Sequence, residues 1–188
     1  LQKDTSLLEK LGVHFVFAPA PEEMYSKEEM ETAFEFDFNG LDEVMEGKMR
    51  PGHFNGVVQV VSRLFDFIQP TRAYFGEKDF QQLAIIRHMV ERSSMAERYT
   101  GLQIIGCPIV REQSGLAMSS RNERLSSQEK QTAIAISQTL FSSVEWAKSA
   151  TVEEVQQRVI DTINAVQGLE VEYYNIVDKT TLKPTNTF

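Results

Sequence analysis

Cysteine is nearly missing: Cys107 stands alone in 188 residues. No intramolecular disulfide and no cysteine-based zinc site can form, which fits a reducing cytosol. Histidine is scarce too, and His14, His53 and His88 have no partners at metal-ligand spacing, so no metal centre built on His and Cys is expected. Basic residues are outnumbered, 19 Lys and Arg against 27 Asp and Glu, for a net charge of −8. Such a surface does not attract a phosphate backbone, which excludes general nucleic-acid binding but leaves room for a local basic pocket for a small anion. No apolar run approaches the ~20 residues of a membrane span, so no membrane partner is expected. The opening LQKDTSLLEKLG reads as an amphipathic helix and not as a signal peptide. It lacks an initiator Met and starts in mid-helix, the expectation being an incomplete chain. Also missing are G-x-S-x-G, G-x-x-x-x-G-K-[ST] and G-x-G-x-x-G.

What is present is ordinary globular composition, 41% hydrophobic and 24% charged, in a length that suits one domain or two small ones. Leu7, Leu8 and Leu11 share a helical face over 2–11, with Gly12 as C-cap. Residues 13–18 (VHFVFA) read as a short, fully buried strand, and a helix, a Gly stop and an apolar run are the rhythm of a parallel α/β sheet. Residues 22–31 form an acidic loop or short helix. Phe34, Phe36 and Phe38 alternate with acids as in a half-exposed strand. EGKMRPGHF (46–54) reads as a loop. The helix after it, about 55–68, has Val57, Val60, Val61, Leu64, Phe65 and Ile68 at helical spacing. A strand at 72–75, a tight turn and a helix from about Asp79 with a Leu83–Ile86–Val90 stripe come next, then a strand over 102–110. Ser126 or Ser127 caps a helix to about 148. Thr151 and Glu154 make a capping box for another, to about 166. Residues 169–177 alternate like an antiparallel strand. The order changes near 110, which suggests two domains, 1–109 and 110–188.

Three segments can carry chemistry. Gly76-Glu77-Lys78-Asp79 joins a strand to a helix. A helix N-terminus offers free N–H groups and partial positive charge, Gly76 allows close backbone approach, and Lys78 adds a point charge. The plain alternative is that Asp79 caps the helix, Gln82 returns the bond and Lys78 is solvated. Met118-Ser119-Ser120-Arg121 sets two hydroxyls beside a guanidinium in a loop that follows a strand; otherwise it is a polar turn. His53, in RPGHF, is either an acid–base or ligand-binding group or a structural histidine fixing a loop. The residues by themselves therefore lead to an α/β protein with one or two candidate phosphate sites.

Taken together, LGVHFVFAPAPEEMY (11–25), EGKMRPGHFNGVVQVVSRLFDFIQP (46–70), AYFGEKDFQQLAIIR (73–87) and GLAMSSRNERLS (115–126) resemble the pantothenate synthetase (pantoate–β-alanine ligase) family. The likeness covers most of 1–127, with a looser match at VEYYNIVD (171–178). It implies a nucleotidyltransferase-type Rossmann-like domain with a parallel sheet, of which this chain carries an incomplete part, followed by a small α+β domain that closes over the nucleotide. It implies a cytoplasmic homodimer that activates pantoate with MgATP to a pantoyl adenylate and passes the acyl group to β-alanine. By the same resemblance Gly76, Glu77, Lys78 and Asp79 contact ATP, Gln82 binds pantoate and the Val110 backbone meets adenine. Met118, Ser119, Ser120 and Arg121 form a mobile triphosphate loop, and Lys78, Ser119 and Arg121 are the expected catalytic residues.

The departures are a family histidine loop and a second pantoate glutamine that are not in this chain, Asn55 where Arg is expected, and a long 91–101 connector. The alternative expectation is thus a catalytically inactive fragment acting at most as a weak nucleotide-binding module. A related adenylyl-transferring enzyme for a different acid is the third reading.

Overall fold

The first helix ends as its glycine predicts. In the computed structural model, which describes all 188 residues, α1 (Gln2–Lys10) is followed by Gly12 at φ +79°. Gly12 N–H donates to Glu9 O and Val13 N–H to Leu8 O, both at 3.0 Å. Those two bonds are a Schellman closure, which satisfies carbonyls the helix leaves open. Two short helices follow, α2 (Pro21–Met24) and α3 (Lys27–Glu31), the latter held by a reciprocal Ser26–Glu29 box. Residues 13–18, between α1 and α2, are not the buried strand expected. They join no ladder, and Phe15 is 91% exposed. Residues Leu1–Glu35 form one compact unit and Phe36–Phe188 a second.

The second unit opens on extended chain. Phe36 and Phe38 meet edge to face at 4.9 Å and Phe38 is buried, as alternation predicts, but no ladder makes the segment a strand. A tight loop leads to α4 (Met45–Met49), and Gly52 at φ +78° turns the chain directly into α5 (His53–Ile68). His53 is therefore the first residue of a helix rather than part of a loop. The buried face of α5 carries Phe54, Val58, Ser62 and Phe65, leaving Val60 and Ile68 exposed. The apolar spacing thus pointed partly to the wrong side.

Strands β1 (Arg72–Gly76) and β2 (Gln103–Cys107) run parallel, in register from Arg72↔Gln103 to Gly76↔Cys107. Parallel neighbours need a crossover, and α6 (Phe80–Glu91) supplies it. Leu83, Ile85, Ile86 and Met89 of α6 are at most 1% exposed. Each contributes about 1.5–3 kcal/mol of burial, so α6 is the axis of the unit. The β2 strand stops at Cys107, before Pro108, because proline cannot donate to a ladder.

Beyond it lie α7 (Ser127–Trp146) and α8 (Val152–Asn164), capped by Ser126–Glu129 and Thr151–Glu154 boxes. Val155, Val159 and Ile163 form a core there with Leu140, Trp146, Leu169, Val171, Tyr174 and Ile176. Residues 169–177 pack Leu169, Val171, Tyr174 and Ile176 on that core, the alternation slipping at exposed Tyr173, without forming the antiparallel strand expected; one bridge, Val177↔Pro184, is their whole ladder. The architecture is α/β with a parallel sheet.

Candidate active site

Because β1 and β2 are parallel and in register, the chain leaves both strands at the same end of the sheet, from β1 directly into Glu77-Lys78-Asp79 and from β2 into the stretch that leads to Met118. Gly76 is the last residue of β1 and faces Cys107, the last of β2. The carboxyl edge of a parallel sheet is where α/β proteins hold ligands. A single 3₁₀ turn, Glu77–Asp79, connects Gly76 to α6. The Lys78 side chain is 43% exposed, its Nζ 3.7 Å from Asp79 Oδ1. Asp79 sits at φ −99°, ψ 61°, and its side chain caps nothing. The capping reading of Asp79 with Gln82 is thus not realised, and the positive end of α6 meets solvent beside Lys78 with no side-chain acceptor.

From β2 the chain passes Pro108 into a small hairpin. Arg111 bridges Ala117, and Met118 N–H donates to Val110 O at 2.9 Å. Val110 and Met118, separate in sequence, are thereby neighbours at its open end. Gly115 turns the tip at φ +93°, where a side chain is strained, and a Cβ there would lie 3.2 Å from Ser137 Oγ of α7. Arg111 secures the hairpin twice: Nη1 donates to Gly115 O at 3.0 Å, and the guanidinium lies 5.1 Å from the centre of the Phe141 ring, a cation–π contact. Ser119 Oγ accepts from Arg121 N–H at 3.2 Å, and Asn122 Nδ2 donates to Ala117 O at 3.0 Å. Ser120 and Arg121 are exposed, and the Arg121 guanidinium has no carboxylate partner. It can take phosphate oxygens without first giving up an ion pair.

The histidines divide. His53 Nε2 lies 3.4 Å from Arg50 Nη1, and Arg50 in turn pairs with Glu46 at 2.6 Å. His88 Nε2 meets Asp37 O at 3.0 Å and its ring stands on Phe36, a structural arrangement. His14, expected in a buried strand, is exposed. Beside the His53 turn a cavity of ≈ 320 Å³ lies between the 42–48 loop and Asn55, whose Oδ1 is buried with no hydrogen-bond partner.

Sequence reasoning missed Gln81. The side chain of Gln82 is half-buried, whereas Gln81 is 4% exposed and its amide is saturated by the backbone of the 41–47 loop. Its signal was a polar residue in helical register with Ile85 and Met89.

The family model described as Pantoate-beta-alanine ligase matches residues 1–187. A pantothenate synthetase of Phocaeicola vulgatus is 57% identical over 183 residues, 97% of this chain and 62% of that protein. The crystal structure of pantothenate synthetase from Thermus thermophilus superposes with a TM-score of 0.88 at 38% identity, over 100% of this chain and 66% of that one. The pantoate-beta-alanine ligase of Francisella tularensis, crystallised with beta-gamma ATP and beta-alanine, gives a TM-score of 0.73 at 30% identity, over 94% and 62%. The chain thus spans about two thirds or less of the length of each. With its family model matched almost end to end and its fold shared, the chain belongs to the pantoate-beta-alanine ligase family.

Proposed function

We propose that the protein condenses pantoate with β-alanine at the expense of ATP, through a pantoyl adenylate. The observation that carries this reading is that FGEKD closes β1 beside the paired end of β2, and that the hairpin after β2 brings Met118, at the head of the Ser119–Arg121 segment, back to Val110. In the first step a pantoate carboxylate oxygen attacks the α-phosphorus, the P–O bond to the β-phosphate breaks, and pyrophosphate leaves. In the second the neutral amine of β-alanine attacks the acyl carbon. A C–N bond forms, the C–O bond to AMP breaks, and the nitrogen gives up a proton.

The chain's own groups are suited to electrostatic and positional work. Gly76, Glu77 and Asp79 frame the nucleotide at the end of β1, and Lys78 meets the charge that grows on the leaving pyrophosphate. Gln82 holds pantoate, and the Val110 backbone meets adenine. Met118, Ser119, Ser120 and Arg121 close over the triphosphate, with Ser119 and Arg121 sharing its charge with Lys78. Magnesium arrives with the nucleotide as part of the substrate. We assign the nucleotide-binding part to 1–109 and the lid to 110–188; the core around Val155 and Val159 lies wholly within the second part. A cytoplasmic homodimer completes the reading; no helix is long and apolar enough to cross a membrane.

The test is product analysis with Lys78→Ala in the full-length protein. AMP, pyrophosphate and pantothenate are expected from the unmodified enzyme; ADP and phosphate in their place would sink the adenylate route. Lys78→Ala should slow single-turnover adenylation by about 10²–10³-fold, as loss of a transition-state donor does. At an exposed turn it should change stability by no more than about 0.5 kcal/mol. Adenylation at the normal rate would show that the lysine is merely solvated.

A further inference from the structure

Consecutive residues of a helix point about 100° apart, so Gln81 and Gln82 at the start of α6 face different surroundings. Gln81 turns inward. Its Nε2 donates to Leu41 O and Val44 O, both at 2.8 Å. Its Oε1 accepts from Glu46 N–H at 3.0 Å and Gly47 N–H at 3.4 Å. A primary amide has two donors and one acceptor oxygen with two lone pairs, so all of its capacity is spent, and all on the turn into α4 and the first residues of α4. The amide cannot be flipped, since that would set donor against donor.

The loop closes around this amide. Met45 sits at φ +49°, a conformation that costs a non-glycine residue energy and persists only where the surroundings impose it. Gly47 has no room for a side chain: a Cβ would lie 2.2 Å from Asp42 O. From the loop a side-chain relay continues. Glu46 Oε1 accepts from Arg50 Nη1 at 2.6 Å, and Arg50 Nη1 lies 3.4 Å from His53 Nε2. A guanidinium only donates, so at this contact His53 Nε2 is the acceptor and a neutral ring carries its proton on Nδ1.

We propose that Gln81 is a positioning residue that ties His53, through residues 41–47, Glu46 and Arg50, to the first turn of α6, in which Gln82 is its neighbour. This rests on the pantoate-activating reading above and deepens it: one glutamine is the residue assigned to the acid substrate while its neighbour fixes the segment that leads to the histidine. A static helix start and a strained loop are thereby tied into one piece.

The experiment compares the unmodified full-length protein with Gln81→Met, which removes all four bonds at similar volume, and Gln81→Glu, which keeps the two acceptor bonds and loses the donors. Initial rates are measured against pantoate and against ATP, and the histidine side-chain nitrogens are followed by NMR. Gln81→Met is expected to lower kcat/KM for pantoate by about 10–100-fold, the cost of a small misplacement. KM for ATP should stay within about twofold, and the His53 signals should move while those of His14 stay. Gln81→Glu should recover relative to the unmodified enzyme as pH falls, because protonation of a buried carboxyl restores one donor toward Leu41 O or Val44 O. If Gln81→Met does not fold, the pH profile of Gln81→Glu decides alone. Variants that lose thermal stability but keep the pantoate kinetics, the pH profile and the His53 signals would overturn the proposal. An unmodified enzyme that makes no pantothenate would instead sink the functional reading, and the NMR comparison would still judge Gln81.

Discussion

Gly47→Ala should be among the most damaging single-methyl changes in this chain. The added Cβ would meet Asp42 O at 2.2 Å, Asp42 C at 2.7 Å and Asp42 Cα at 2.9 Å. All three are backbone atoms, so no side chain can swing away and the loop itself must open. Overpacking of this kind costs about 1–3 kcal/mol. Opening the loop also draws Glu46 N–H and Gly47 N–H from Gln81 Oε1, at about 0.5–1.5 kcal/mol for each bond lost. Together the loss is about 2–6 kcal/mol, a large part of the ~5–15 kcal/mol that holds a typical domain. Gly56→Ala, inside α5, is the internal control. No atom outside its own stretch of helix lies within 4 Å of a Cβ placed there, and alanine should stabilise by about 0.4–1 kcal/mol through lower unfolded-state entropy. The assay is denaturant unfolding, read as a midpoint shift at constant slope. The two Gly→Ala changes, close together in the chain, should move it in opposite directions. A Gly47→Ala protein within about 0.5 kcal/mol of the parent, the usual range of a harmless surface change, would refute the claim that the loop is closed.

Two further outcomes follow from local geometry. Tyr99 is 7% exposed, and its hydroxyl lies 3.3 Å from both Ser62 O and Asp66 Oδ1; burial first, then the Asp66 charge, pushes its pKa from 10.0 up to about 12. Between those values the unfolded chain binds fewer protons, so stability should fall as pH rises from about 10 to 12, by up to about 2–3 kcal/mol. Tyr99→Phe should flatten that alkaline loss in paired unfolding curves, and an unchanged slope would count against it. Thr151→Ala removes an acceptor for Glu154 N–H and half of a reciprocal box, at about 0.5–2 kcal/mol. Because α8 buries Val152, Val155, Val159 and Ile163, the loss should appear in global unfolding; Ser126→Ala should do the same for α7, and full stability in either would show its helix start to be held otherwise.

Helix ends other than the Asp79 start of α6 were legible, while of the expected strands only those at 72–75 and 102–110 form, for one physical reason. A cap joins residues three or four apart: Thr151 with Glu154, Ser126 with Glu129, Gly12 with Glu9. All of its partners lie within one short stretch. A strand needs a second segment. VHFVFA at 13–18 has the apolar run but joins no ladder, and Phe15 stands in solvent. Residues 169–177 have the alternation and turn Leu169, Val171, Tyr174 and Ile176 inward, with a slip of one residue at exposed Tyr173, yet one bridge is all the ladder they make. Only 72–76 and 103–107 found each other, because α6 between them is long and apolar enough to bring them parallel.

The candidate site divides along the same line. The Lys78 turn and the Ser119–Arg121 loop were legible because a phosphate-binding segment is local: glycine, a cation, hydroxyls and a helix start within a few residues. Gln81 was not, and the stripe chosen for α6 explains why. Leu83, Ile86 and Val90 mark one face, and on that face Gln81 has no place. Gln81, Ile85 and Met89 lie one helical turn apart along another, and all three are at most 4% exposed. The helix is buried on both faces, so its first turn had to bury a residue there, and a glutamine in that place demands partners for its amide. Those partners are the backbone of residues 41–47, in a loop that precedes α5 and β1 in the chain. A polar residue continuing an apolar stripe is therefore legible as a demand, while the loop that answers it is visible only in the fold.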